Sequence, residues 1–186
     1  MALTPSRGVA LVPPQMIRPF LILALCLATM ASALAAQPVP RLLQKADVLP
    51  LALDDSFAFR KHTVYLNDAK KTKSIKQPMM AFEPQHYNYG TTYKEERAER
   101  NGHYFKFWWR AQRTANLTVR LEYRQQNLGA YVQAQEIDVP AAKGTIETKF
   151  QVTGDDFNDD GQVLAWRALL IENGKIVALT QSFLWH

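Results

Sequence analysis

Cysteine is all but missing. The 186-residue chain has one, Cys26, and it sits inside an apolar leader. The remainder carries no thiol, which excludes a disulfide framework, a zinc-ribbon type site and a cysteine nucleophile. A thiol-free domain suits an oxidising compartment. Charge of one sign is scarce too. The 22 basic and 17 acidic residues give +5; Arg7 and Arg18 lie in the leader, so 20 basic residues remain against 17 acidic. That surplus, with no basic stripe, does not support a nucleic-acid partner. The signatures G-x-S-x-G and H-E-x-x-H, Ser/His/Asp arrangements and phosphate-cradling glycine loops are all absent from the sequence. The four histidines, His62, His86, His103 and His186, have no metal-ligand spacing with a second histidine or carboxylate. The expectation is a protein that is not an enzyme.

Residues 1–36 read as a cleaved secretory signal peptide. Arg18 supplies the positive start, 20–30 (FLILALCLATM) the apolar run, and Ala33-Leu34-Ala35 the small-x-small cleavage pattern. The run falls short of the roughly 20 residues of a spanning helix, so no stable membrane anchor is expected after cleavage. The segment from Met16 onward has the proportions of a leader by itself. The expected location is periplasmic or secreted.

What is plentiful is alternation of apolar and polar side chains. Residues 103–124 read HYFKFWWRAQRTANLTVRLEYR. Successive side chains of a strand point to opposite faces. Phe105, Phe107, Trp109 and Ala111 therefore share a buried face, and Tyr104, Lys106, Trp108 and Arg110 the other. A second run places Leu117, Val119, Leu121 and Tyr123 inward and Thr118, Arg120, Glu122 and Arg124 outward.

Around this stretch the chain divides simply. Residues 37–53, with Pro38, Pro40 and Pro50, form an extended lead-in, and 54–186 a single domain. Short strands are expected at 56–60 and 62–66. The lysine-rich 67–76 reads as a solvated loop or an anion-contacting patch, and 77–93 as edge strands or an ordered loop. Residues 94–100 (KEERAER) favour one or two helical turns, stopped by Asn101-Gly102. Downstream, 130–139 is a strand whose parity slips and calls for a bulge near Gln135 or Glu136. A turn follows at 140–144. The next strand turns Ile146, Phe150 and Val152 inward. Residues 154–161 are a polar loop. Residues 163–171 are apolar on both parities, as in a strand covered on both sides. Asn173-Gly174 predicts a type I′ hairpin, and 176–185 closes the domain with Val177, Leu179, Phe183 and Trp185 in phase. The pattern resembles immunoglobulin-like and fibronectin-type domains: an all-β antiparallel sandwich of about seven to nine strands, with at most a short helix near 92–100. The paired cysteines of true immunoglobulin domains are missing.

Two candidate sites emerge. In the loop GDDFNDDG, residues Asp156, Asn158 and Asp160 followed by Gly161 match the first half of a calcium loop, whose alternate oxygens converge on the ion. The twelfth position, where a bidentate glutamate belongs, is Arg167. Calcium is the only cofactor the sequence suggests; otherwise the loop is an acidic turn. The second candidate is Trp108 flanked by Lys106 and Arg110, an outward aromatic between cations that suits a protein partner or a sugar ring. Asn116-Leu117-Thr118 is a formal glycosylation sequon. The functional expectation is a non-catalytic extracytoplasmic module binding another envelope or secreted protein. The alternative is a carbohydrate-binding module, possibly calcium-stabilised.

Overall fold

The computed structural model describes residues 38–43, 45–68 and 86–185. The leader and the lysine-rich patch of Lys70, Lys71, Lys73 and Lys76 lie outside the described residues. Six strands form one antiparallel sheet: β1 (Arg41–Leu43), β2 (Phe57–Asn67), β3 (Gly102–Gln125), β4 (Gln133–Thr153), β5 (Val163–Glu172) and β6 (Lys175–Gln181). Short α-helices lie between them, among these α1 (Lys94–Glu99) and α2 (Asp155–Asp160). The fold class is all-β. The sheet order is β1-β4-β3-β5-β6, with β2 paired to β3.

The count is six among the described residues because separate apolar runs are continuous strands. The two runs of the organising stretch are one 24-residue strand, β3. Residues 133–139 of the run expected at 130–139, and all of 146–152, belong to the 21-residue β4, so the turn expected at 140–144 is instead a bend within it. Register slips between Ala111 and Leu117, and across the bend Ala141 and Gly144 take positive φ. The two short runs at 56–66 likewise merge into β2, with a bulge between Phe59 and Lys61.

The bend decides what lies inside. β2 pairs only with the first half of β3, from Gly102 to Ala111, and β5 only with the last, from Thr118 to Gln125. Yet Trp166 of β5 lies edge-on to Phe105, Phe107 and His62, at 6.1, 5.4 and 5.0 Å between ring centroids. The two halves of β3 thus face each other across one core. Phe105, Phe107, Trp109, Val119, Leu121 and Tyr123 are completely buried there, as the alternation requires. Arg113 clamps the bend, with ion pairs to Asp54 at 2.9 Å and Glu172 at 2.5 Å.

Three local expectations change. The pairing of Gln133 to Val139 with Tyr123 to Leu117 is regular, so no bulge sits near Gln135. The parity slip is absorbed by an amide: Gln135 faces the core and donates to the Gln151 carbonyl at 3.0 Å. The loop at 154–161 is the helix α2. Phe157 brings its ring to 5.9 Å from His103, and the Gln125 side chain donates to the carbonyls of Asp156 and Gly161. Finally, β6 ends at Gln181; Phe183 is exposed while Trp185 turns back and is buried. The hairpin at Asn173-Gly174 forms as its sequence demands. Both residues have positive φ, and Glu172 pairs with Lys175.

The lead-in covers the outer side of β5. Ile176 N–H donates to the Pro50 carbonyl, and Ala52 and Asp54 N–H donate to the carbonyls of Ile176 and Val177. Leu49 packs on Leu169, Ile171 and Ile176 as a second, smaller apolar cluster. This cover explains why β5 is apolar on both parities.

Candidate functional site

Tyr104, Lys106, Trp108 and Arg110 share the outer face of the first half of β3. Pairing sets their neighbours. Trp108 lies between Lys61 of β2 and Glu147 of β4, and Lys106 between Thr63 and Lys149. Trp108 is half-buried. Its indole N–H donates to Glu147 Oε2 at 3.1 Å, and Lys61 Nζ sits 5.1 Å from the ring centroid. Glu147 also pairs with Lys149 at 3.2 Å. The cation over the indole is therefore Lys61, and not Lys106 or Arg110 of its own strand. Residues two apart on a strand are about 6.6 Å from each other, whereas directly opposed residues have Cβ atoms about 5 Å apart.

Lys106 is half-buried over a different ring, its Nζ 5.6 Å from the centre of Tyr87. Tyr87 stacks between Tyr65 and Tyr104, at 4.8 and 4.1 Å. The Tyr104 hydroxyl donates to the Arg100 carbonyl at 2.8 Å. Burial pushes the Tyr104 phenol above its ordinary pKa, and the neighbouring Tyr87 adds to the shift. Arg110 is exposed and makes no side-chain hydrogen bond among the described residues. The face thus joins a stack of three tyrosines, a fixed indole and four cations (Lys61, Lys106, Arg110 and Lys149) around one carboxylate, Glu147. An exposed cation–aromatic contact stabilises by only about 0.5–1 kcal/mol. Its use here is orientation, since a ring held from two sides loses little freedom when a ligand docks.

The acidic candidate is arranged differently. Asp156, Asn158 and Asp160 lie on α2. A helix turns about 100° per residue, so Asp156 and Asp160 share a side and Asn158 points to the other. Asp160 accepts from Gln133 Nε2 at 3.1 Å, and the carbonyls of Asp156, Asp159 and Gly161 accept side-chain amides of Gln125 and Asn127. Among the described residues no three His, Cys, Asp or Glu side chains come together as a metal-holding group. His103 is buried, its Nδ1 accepting the Val163 N–H at 3.3 Å. Asn116 is exposed, its Oδ1 accepting the Ala141 N–H.

Alternation alone missed one cluster. Arg120 and Glu122, expected to face water, are 7% and 2% exposed. Arg120 Nε donates to Glu136 at 2.7 Å and its Nη1 to the Asp47 carbonyl; Arg167 Nε donates to Glu122 at 2.5 Å. The only signal in the sequence is the alternation of sign along Arg120, Glu122 and Arg124, matched by Glu136 and Arg167 on adjoining strands.

No family model matches the chain, and neither a curated protein nor a solved structure matches it.

Proposed function

We propose that this protein is a non-catalytic extracytoplasmic binding module, and that the outer face carrying Lys106, Trp108 and Arg110 docks another protein of the cell envelope or the secreted fraction. The arrangement of Trp108 carries the reading. A half-buried indole is pinned by Glu147 and Lys61 in the middle of a cationic, tyrosine-rich face. Aromatic and arginine side chains of this kind are the usual anchors of protein interfaces, and the charge balance favours an acidic partner. The leader-like 1–36 and the cysteine-free remainder support a periplasmic or secreted location. The bent sheet, with its halves opposed across one core, is in this reading an immunoglobulin- or fibronectin-like sandwich whose long strands each serve both halves.

A photo-crosslinking residue at position 110, in the native host, tests the reading. The expected result is one discrete higher-mass band that Trp108→Ala abolishes and that a probe at exposed Leu164 does not give. A folded, exported protein that yields no band from position 110 rejects a protein partner. The second reading is a carbohydrate-binding module. Its support is the set of polar groups around the indole, since Glu147 and Lys61 are the partners that sugar hydroxyls use. Saturable binding on a glycan array, lost in Trp108→Ala, would select it.

A further inference from the structure

On the far side of the molecule from the core, the lead-in roofs a cavity of about 520 Å³ over the outer faces of β3 and β5. Its floor holds Glu122, Arg124 and Arg167; Trp185 and Tyr131 wall one side and Lys45 stands at the roof. A second cavity of about 210 Å³ shares Asp47, Val48, Glu122 and Arg167 with the first. It runs on along Leu49, Leu51, Leu169, Ile176 and Leu179. One end of this groove is cationic and aromatic, the other mostly aliphatic.

The charges of the first cavity do not balance. Glu122 already has Arg167 Nε, with Arg120 Nη1 at 3.5 Å. Arg167 keeps its two Nη groups without a hydrogen bond among the described residues, and Lys45 Nζ has no partner there. The guanidinium groups of Arg124 and Arg167 lie 4.8 and 4.9 Å from the Trp185 ring centre, so both are held in place. Lys45, Arg124 and Arg167 outnumber Asp47 and Glu122 by one positive charge. A guanidinium fork suits a carboxylate, and such bonds strengthen away from water. The aliphatic extension removes apolar surface from water in proportion to its length.

We propose that the groove beneath the lead-in binds a medium-chain carboxylate, with its head at Arg124, Arg167 and Lys45 and its tail along Leu49, Leu169 and Ile176. The site is separate from the Trp108 face and does not depend on the function proposed for that face. The volume lies in the range of small-ligand pockets.

The probe is decanoate, titrated below its micelle-forming concentration into the purified protein, with decanol and acetate as the two half-ligands. Calorimetry is expected to show saturable one-to-one binding of decanoate. Decanol should bind about tenfold more weakly, because the charge-assisted bonds are gone, and acetate should not bind measurably. Trp185 reports location: the fluorescence change on adding decanoate should vanish in Trp185→Phe. Arg167→Gln strips Glu122 of a partner and risks the fold, so Lys45→Ala, which removes no hydrogen bond or ion pair among the described residues, serves as the second variant. It should weaken decanoate several-fold and leave decanol unchanged. Decanol binding as tightly as decanoate, Lys45→Ala without effect on decanoate, or no saturable binding at all would each overturn the proposal.

Discussion

Gly102→Ala should be among the most damaging single-atom changes in this chain. Gly102 stands where the chain leaves α1 and enters β3, flanked by Asn67 of β2 and Thr153 of β4. Its φ is +150°, a conformation that side chains rarely adopt. An added Cβ would sit 2.1 Å from the Val152 carbonyl oxygen and 2.8 Å from the Thr153 Cα. Both atoms are backbone, so no flexible side chain can yield; the end of β4 must move. The strained φ costs about 1–3 kcal/mol, and each ladder hydrogen bond lost adds about 1 kcal/mol. The sum, about 3–5 kcal/mol, corresponds to a fall in Tm of about 10 °C at this chain length. Gly174→Ala is the control. Its φ is +72° in the open hairpin, where an added Cβ meets nothing within 4 Å, so only the left-handed cost of about 1–2 kcal/mol applies. Urea unfolding followed by near-ultraviolet circular dichroism measures both. If Gly102→Ala is no worse than Gly174→Ala, β3 and β4 do not pair at that end as described, and the reasoning fails.

The remaining predictions concern pH and calcium. Burial, with Asp156 and Asp160 nearby, pushes the Tyr123 phenol up to about 12, above its ordinary value of about 10. Folding therefore favours the protonated phenol. Its contribution is complete below pH 10 and is lost as pH rises from 10 through 12, about 2–3 kcal/mol in all; Tyr123→Phe should flatten that part of the stability profile, and an unchanged profile would place the phenol in water. Glu172 is held below its ordinary range by Arg113, and Asp54 by the Ser56 N–H and then Arg113. Their stabilisation is present above the ordinary carboxylate pKa and lost as pH falls through it, so Arg113→Ala should reduce the loss of stability on acidification, read by thermal melts from pH 5 to pH 3. Calcium or EDTA should move Tm by less than about 1 °C, because amides already occupy the carbonyls around α2. Gln125→Ala should cost about 2 kcal/mol by removing two of those hydrogen bonds.

Alternation along a strand is a local property, and it was legible. The buried parity of Phe105, Phe107, Trp109, Leu117, Val119, Leu121 and Tyr123, the all-β class, the helical turns at 94–99 and the Asn173-Gly174 hairpin follow from period and turn chemistry alone. The outward placement of Lys106, Trp108 and Arg110 follows from the same period. What a strand's second face meets is not local. Arg120 and Glu122 are buried because residues some 70 positions earlier fold over them, and only the path of the lead-in decides that. Lys61 rather than a strand neighbour covers Trp108 because β2 pairs in one register out of several its short runs allowed. The acidic stretch at 155–160 coils into a helix because Gln125 and His103, on a strand already in place, receive it. The sequence by itself determined which apolar face of β3 avoids water; the tertiary structure alone decided which strands run on through a bend and which charges are enclosed, because register and cover depend on segments far apart in the chain.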